Sequence, residues 1–124
     1  LSLHDALPIY PRMFVVADQP LSVVAALIEK CCVFVAGDTG LGHIAAAMRV
    51  PVVTLAGPTQ IESTHPWGEH HRVLRTQLPL ECMPCYGTNA YGQCAHLSCM
   101  RTIPPSRVAI ALIECIDDCR GTPR

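Results

Sequence analysis

Apolar and polar positions alternate in two rhythms along this chain. Met13 to Ala17 is a short, wholly apolar run, of the kind that forms a buried strand. After Pro20, residues Leu21, Val24, Ala25, Ile28 and Cys32 recur at helical spacing, which predicts an amphipathic helix. Val33 to Ala36 is a second apolar run, and the polar, glycine-bearing GDTGLG follows it at once. His43 to Arg49 is rich in good helix formers, so a helix from about Gly40 to Met48 is expected. Pro51 then opens a third apolar run, VVTLA, which stops at Gly57-Pro58-Thr59.

Uniformly apolar strands that alternate with helices are covered on both faces, as in a parallel sheet. The expected class is therefore α/β, with a Rossmann-like parallel sheet in which residues 33–36 and 52–56 are adjacent strands. Gln60 to Pro79 is more polar, and HRVLRT within it reads as a short outer strand. Leu80 to Thr102 holds a cysteine cluster and reads as a loop. Ser106, after Pro104-Pro105, is the expected N-cap of a last helix whose apolar face is Val108, Leu112, Cys115, Ile116 and Cys119.

Composition narrows the picture. The 124 residues allow one domain at most; half are hydrophobic and 15% are charged, which excludes a disordered chain. A net charge of −1 provides no general basic surface for nucleic acid, and aromatic residues at 5% provide no base-stacking platform. No apolar run approaches the length of a membrane span. Leu1 to Tyr10 lack an initiator Met and any signal-peptide pattern, and read as a non-native or disordered leader. The domain is expected over 11–120, with a Cys-rich loop over 80–102 and a frayed tail over 121–124. Eight cysteines within strong core-forming segments fit reduced thiols in a cytoplasmic protein better than a disulfide scaffold.

The candidate chemistry lies between the second and third apolar runs. A helix that starts where a parallel strand ends points its free N–H groups into the crevice above the sheet. Those groups and the helix dipole suit a phosphate or pyrophosphate. Gly40 and Gly42 carry no Cβ, which allows a ligand close to the backbone, Thr39 offers a hydroxyl, and His43 falls on the first helical turn. The alternative is that Asp38 or Thr39 is a plain N-cap and the glycines serve turn geometry alone. The spacing is not G-x-G-x-x-G, so no dinucleotide cofactor is indicated.

The run DTGLGHIAAAMRVPVVTLAGPT, Asp38 to Thr59, closely resembles glycosyltransferase family 9, the ADP-heptose:lipopolysaccharide heptosyltransferases. The family's D-[ST]-G-x-x-H-x-A-A-A, then Pro, a strand and G-P-T, are all matched, as are Cys82-Met83-Pro84-Cys85 and Cys99-Met100 downstream. The resemblance spans roughly residues 11 to 117 and implies a partial C-terminal domain of a two-domain GT-B enzyme. It further implies that Asp38, Thr39, Gly40 and His43 bind the donor, a nucleotide-diphosphate sugar such as ADP-heptose, with Gly57, Pro58 and Thr59 on the pocket rim. The implied reaction inverts the anomeric centre by direct displacement, without a metal, onto lipopolysaccharide core at the inner face of the cytoplasmic membrane, with peripheral association. The general base and the acceptor contacts belong to an N-terminal domain that has no counterpart here, so this piece is expected to be inactive alone.

Cys82, Cys85, Cys94 and Cys99 have spacing open to several readings: a structural zinc held by four thiolates, a disulfide pair, an iron–sulfur cluster, or reduced thiols. Trp67 is expected to pack under the loop, or to border the donor pocket with Thr59 and His65. His70 and His71 are expected to face solvent, and Cys31, Cys32, Cys115 and Cys119 to pack as small hydrophobes. Two other functions compete with the transferase: a zinc-stabilised binding module built on residues 80–102, and another GT-B-like phosphate-binding enzyme such as a sugar epimerase.

Overall fold

The computed structural model describes residues 15–121, with the side chains of residues 120 and 121 left aside. The expectations for residues 1–10, for Met13 and Phe14, and for 122–124 lie outside it. Its elements run α1 (Leu21–Glu29), β1 (Phe34–Gly37), α2 (Gly40–Ala47), β2 (Val52–Ala56), α3 (Ile61–Thr64), β3 (Arg72–Arg75), α4 (Ser98–Arg101) and α5 (Pro105–Gly121). The strands form one parallel sheet in the order β1-β2-β3. Phe34 lies opposite Val52, and Val53 opposite Arg72. The α/β class and both neighbouring strands match the apolar pattern, and the outer strand within HRVLRT is β3.

β2 is central, and its alternating side chains divide the core in two. Val52 belongs to a cluster with Ile28 of α1, Ala45 of α2 and Val50. Val53, its neighbour in sequence, points the other way into a cluster with Leu74, Ile103, and Ala111 and Cys115 of α5. Period-two alternation in a strand buried on both sides requires both faces to be apolar. Full burial of a side chain of this size contributes about 1.5–3 kcal/mol. The face of α5 is as the spacing predicts, with Ala111 added at its centre.

Two local expectations fail. Val15, Val16 and Ala17 form no strand, and the two valines are about half exposed. An apolar run becomes a strand only where a neighbour's ladder takes its N–H and C=O groups, and among the described residues none lies beside it. Ser106 is not an N-cap, because α5 already begins at Pro105. Proline is suited to the first helical position, where its missing N–H has no intrahelical partner to lose. The N–H groups of Arg107 and Val108 close the first turn on the Pro104 carbonyl. No described helix is long and apolar enough to cross a membrane.

α1 is fastened by few residues. Ile28 is 3% exposed, whereas Leu27 beside it is 43% exposed. In the full-length protein, Ile28→Ala is expected to lower stability by about 2–5 kcal/mol. Leu27→Ala should cost less than about 1 kcal/mol. Urea unfolding midpoints of the two variants check this; equal losses would mean that α1 is not docked through Ile28.

Candidate functional site

Parallel strands place their C-terminal ends on one side of the sheet, and the loops that leave those ends meet there. β1 ends at Gly37, Asp38 and Thr39 follow, and α2 starts at Gly40. Thr39 is the N-cap residue by position, with extended backbone at φ −143 and ψ 162, and no side-chain capping hydrogen bond. Asp38 does not cap the helix either: its Oδ2 accepts a hydrogen bond from the Thr64 hydroxyl. The plain N-cap reading thus fails for both residues, and the first turn of α2 meets the crevice without a side-chain cap.

A cleft of about 460 Å³ opens at this point, within the size range of small-ligand pockets. Asp38, Thr39, Gly40 and His43 form one side, and Thr59, Gln60, Ser63 and Thr64 another. Pro84 and Tyr86 close it from the cysteine-bearing loop. The structure therefore brings all four predicted donor residues together, and of the predicted rim it brings Thr59. The Thr59 hydroxyl is buried, and it has no hydrogen-bond partner among the described residues.

The glycines separate by what a Cβ would meet. At Gly40 a Cβ would meet nothing within 4 Å, so nothing in the fold requires glycine there. Gly42 differs from expectation: it is buried, a Cβ there would stand beside Pro66 and Val52, and it does not line the cleft. Gly57 is also buried, and a Cβ there would come 2.7 Å from Met100 Sδ, so it serves packing against α4 and not the rim. Pro58 acts through its carbonyl, which accepts the N–H groups of Cys85 and Tyr86, each at 3.0 Å. These two bonds hold the loop wall against the cleft. Tyr86, on that wall, stacks edge-on against Tyr91 with ring centroids 5.0 Å apart.

Cys32, Cys82, Cys85, Cys94, Cys99 and Cys115 are free thiols. Cys99 is half-buried, and burial is the first cause that pushes its thiol above the ordinary range. Cys85, Cys94 and Cys82 lie near enough to oppose a thiolate at Cys99 and raise it further. The four share one electrostatic neighbourhood. Among the described residues no three His, Cys, Asp or Glu side chains are grouped to hold a metal ion. Burial likewise raises the Cys115 thiol, although Arg72 opposes the shift. Cys115 is a core residue as expected, but Cys32 is exposed.

Two aromatic positions depart from expectation. Trp67 is 88% exposed and neither packs under the loop nor lines the cleft. His71 is not simply solvent-facing: its Nδ1 accepts the Val52 N–H at 3.1 Å, and its Nε2 lies 2.8 Å from the Trp67 carbonyl. That pairing requires the neutral tautomer with the proton on Nε2. His71 thereby ties the end of the Trp67 turn to the start of β2. His65 is exposed and does not line the cleft.

Sequence reasoning missed Gln60, Ser63, Thr64, Pro84 and Tyr86. A signal for the first three was present, since Gln60, Ser63 and Thr64 fall at i, i+3 and i+4 on one helical face with Ile61 on the other. No local pattern marks Pro84 and Tyr86, which reach the cleft only because the loop returns to Pro58.

The family model described as Glycosyltransferase family 9 (heptosyltransferase) matches residues 11–96. The chain is 33% identical over 81 residues to a lipooligosaccharide heptosyltransferase 2 of Campylobacter jejuni, covering 65% of this chain and 24% of that protein. It is 40% identical over 65 residues to a lipopolysaccharide heptosyltransferase 1 of Pseudomonas aeruginosa, covering 52% of this chain and 18% of that one. The chain thus spans about a quarter or less of the length of these relatives. The fold is similar to that of a crystal structure of a glycosyl transferase family 9 protein from Veillonella parvula, with a TM-score of 0.69 and 23% identity. That match covers 94% of this chain and 34% of the other.

The thiol environments give a direct check. At neutral pH, alkylation should reach exposed Cys82 and Cys32 first and Cys99 and Cys115 last. A raised pKa leaves less thiolate at a given pH, so Cys99 should catch up only as pH rises above the ordinary thiol range. Peptide mapping by mass spectrometry across pH measures this; equal rates for Cys82 and Cys99 at neutral pH would contradict it.

Proposed function

Because the chain belongs to glycosyltransferase family 9, we propose that it provides the donor-diphosphate site of an enzyme that transfers a heptose or related sugar from a nucleotide diphosphate to lipopolysaccharide core. The observation that carries this reading is the uncapped start of α2 at the cleft, with Gly40 a glycine that the fold itself does not need. A missing Cβ there leaves room for a ligand against the backbone.

In this reading the backbone N–H groups at Thr39 and Gly40 face the diphosphate, where the positive end of the helix dipole adds to them. His43 donates from the first turn, and the Thr59 hydroxyl supplies a further donor from the end of β2. As the sugar–phosphate bond breaks, negative charge builds on the departing diphosphate. Donors already aimed at that charge stabilise it more than they stabilise the bound substrate, and that difference accelerates the reaction. The displacement inverts the anomeric carbon and needs no metal. The base that takes the acceptor proton comes from a part of the enzyme outside this chain, as do the acceptor contacts. A heptose is the proposed sugar, since the relatives are named heptosyltransferases, and ADP is proposed as the nucleotide that carries it. We place the reaction at the inner face of the cytoplasmic membrane, with peripheral association.

Gly40→Val in the full-length enzyme should leave the melting temperature unchanged or raise it, while weakening nucleoside diphosphate binding by at least about ten-fold. Isothermal titration calorimetry beside a melting curve reads both. Asp38→Ala and His43→Ala should each cut turnover by about 10- to 100-fold with the fold intact, the scale of a lost charge-assisted hydrogen bond. Unchanged donor affinity and turnover in all three variants would sink the assignment.

A further inference from the structure

The cleft contains one polar contact that neither the helix nor the sheet explains. The Thr64 hydroxyl, at the end of α3, donates to Asp38 Oδ2 across 26 positions of sequence. Thr64 is well placed to hold a direction. Ile61 anchors α3 with 5% exposure, Glu62 pairs with Arg75 of β3 at 2.8 Å, and Pro66, two residues after Thr64, is buried. A hydroxyl has one proton, and the second oxygen near it, the Gln60 carbonyl, is farther at 3.3 Å.

Resting on the donor-site reading above, we propose that Thr64 is a positioning residue that aims Asp38 at the hydroxyls of the transferred sugar. The argument is one of matching donors to acceptors. An ionised carboxylate only accepts hydrogen bonds, and so does a diphosphate, so the two repel and do not pair. Asp38 nevertheless stands beside Thr39 and Gly40, where the diphosphate would lie. Its useful partner must be a hydrogen-bond donor next to the diphosphate, and the sugar hydroxyls are such donors. Thr64 occupies Oδ2 and fixes the carboxylate plane, which leaves Oδ1 to read the sugar. A carboxylate held in this way recognises a sugar better than a freely rotating one, because less motion is lost on binding.

The test compares ADP with ADP-heptose by calorimetry on the full-length protein. Thr64→Val keeps the shape and removes the hydroxyl. It should weaken ADP-heptose binding about ten-fold and leave ADP binding within about two-fold. Thr64→Ser should restore the wild-type preference, and Thr64→Ala serves where the valine variant does not fold. In an Asp38→Ala background, Thr64→Val should have no further effect. Equal weakening of ADP and ADP-heptose would overturn the proposal, since it would assign Thr64 to the ribose or to α3 as a whole. No change in either ligand would overturn it too, while the donor site would stand. Wild-type protein that binds neither ligand would overturn the donor-site reading and this inference together.

Discussion

The rest of the molecule depends on the two-sided burial of β2. Val52 and Val53 are adjacent in sequence and each has no exposed surface, but they belong to different clusters on opposite faces. A strand covered on both faces cannot slip by one residue without exchanging one core for the other. Its register therefore sets where β1 and β3 end. Because all three strands run the same way, their exits line up, and the turns after Gly37 and Ala56 are brought to one cleft. The site is thus a consequence of parallel pairing, not of a separate folding event.

Much of this was legible in the residues. Apolar runs bounded by glycine and proline marked β1 and β2, and the helix formers after Gly42 marked α2, because strand burial and helix propensity are both local signals. The cleft residues Asp38, Thr39, Gly40 and His43 were legible since they follow directly on a strand end. Where reading failed, a partner distant in sequence decided. Val15 and Val16 read as a strand, but a strand exists only through a neighbour. His71 read as surface, but a backbone N–H of β2, 19 positions away, claims its ring. Gly57 read as pocket rim, but Met100, 43 positions on, decides which way it faces.

The cysteines show the same limit from another side. Their spacing left metal, disulfide and free thiol open, since spacing constrains which sulfurs can meet but not whether they do. In the structure the four thiols of the loop are free, and Cys85, Cys94 and Cys82 raise the Cys99 thiol, while no group of metal ligands forms among the described residues. The stretch after the loop reaches the fold at a second point, because Met100, beside Cys99, packs against the cluster of Val53 and Leu74. The chain here is thereby part of the packing beneath the cleft as well as its outer wall.

The attachment of that wall to the Pro58 carbonyl has a consequence for how such a site can diversify. Both bonds to it are made by main-chain N–H groups, so neither depends on which side chains the loop carries. Tyr86 can change identity without loosening the hinge point that presents it. The uncapped α2 start and the loop wall are then separable inheritances: one is held by strand register, the other is open to drift. Within a lineage built on this scaffold, single codon changes at position 86 can reshape the wall of the cleft, while the α2 start opposite is passed on intact.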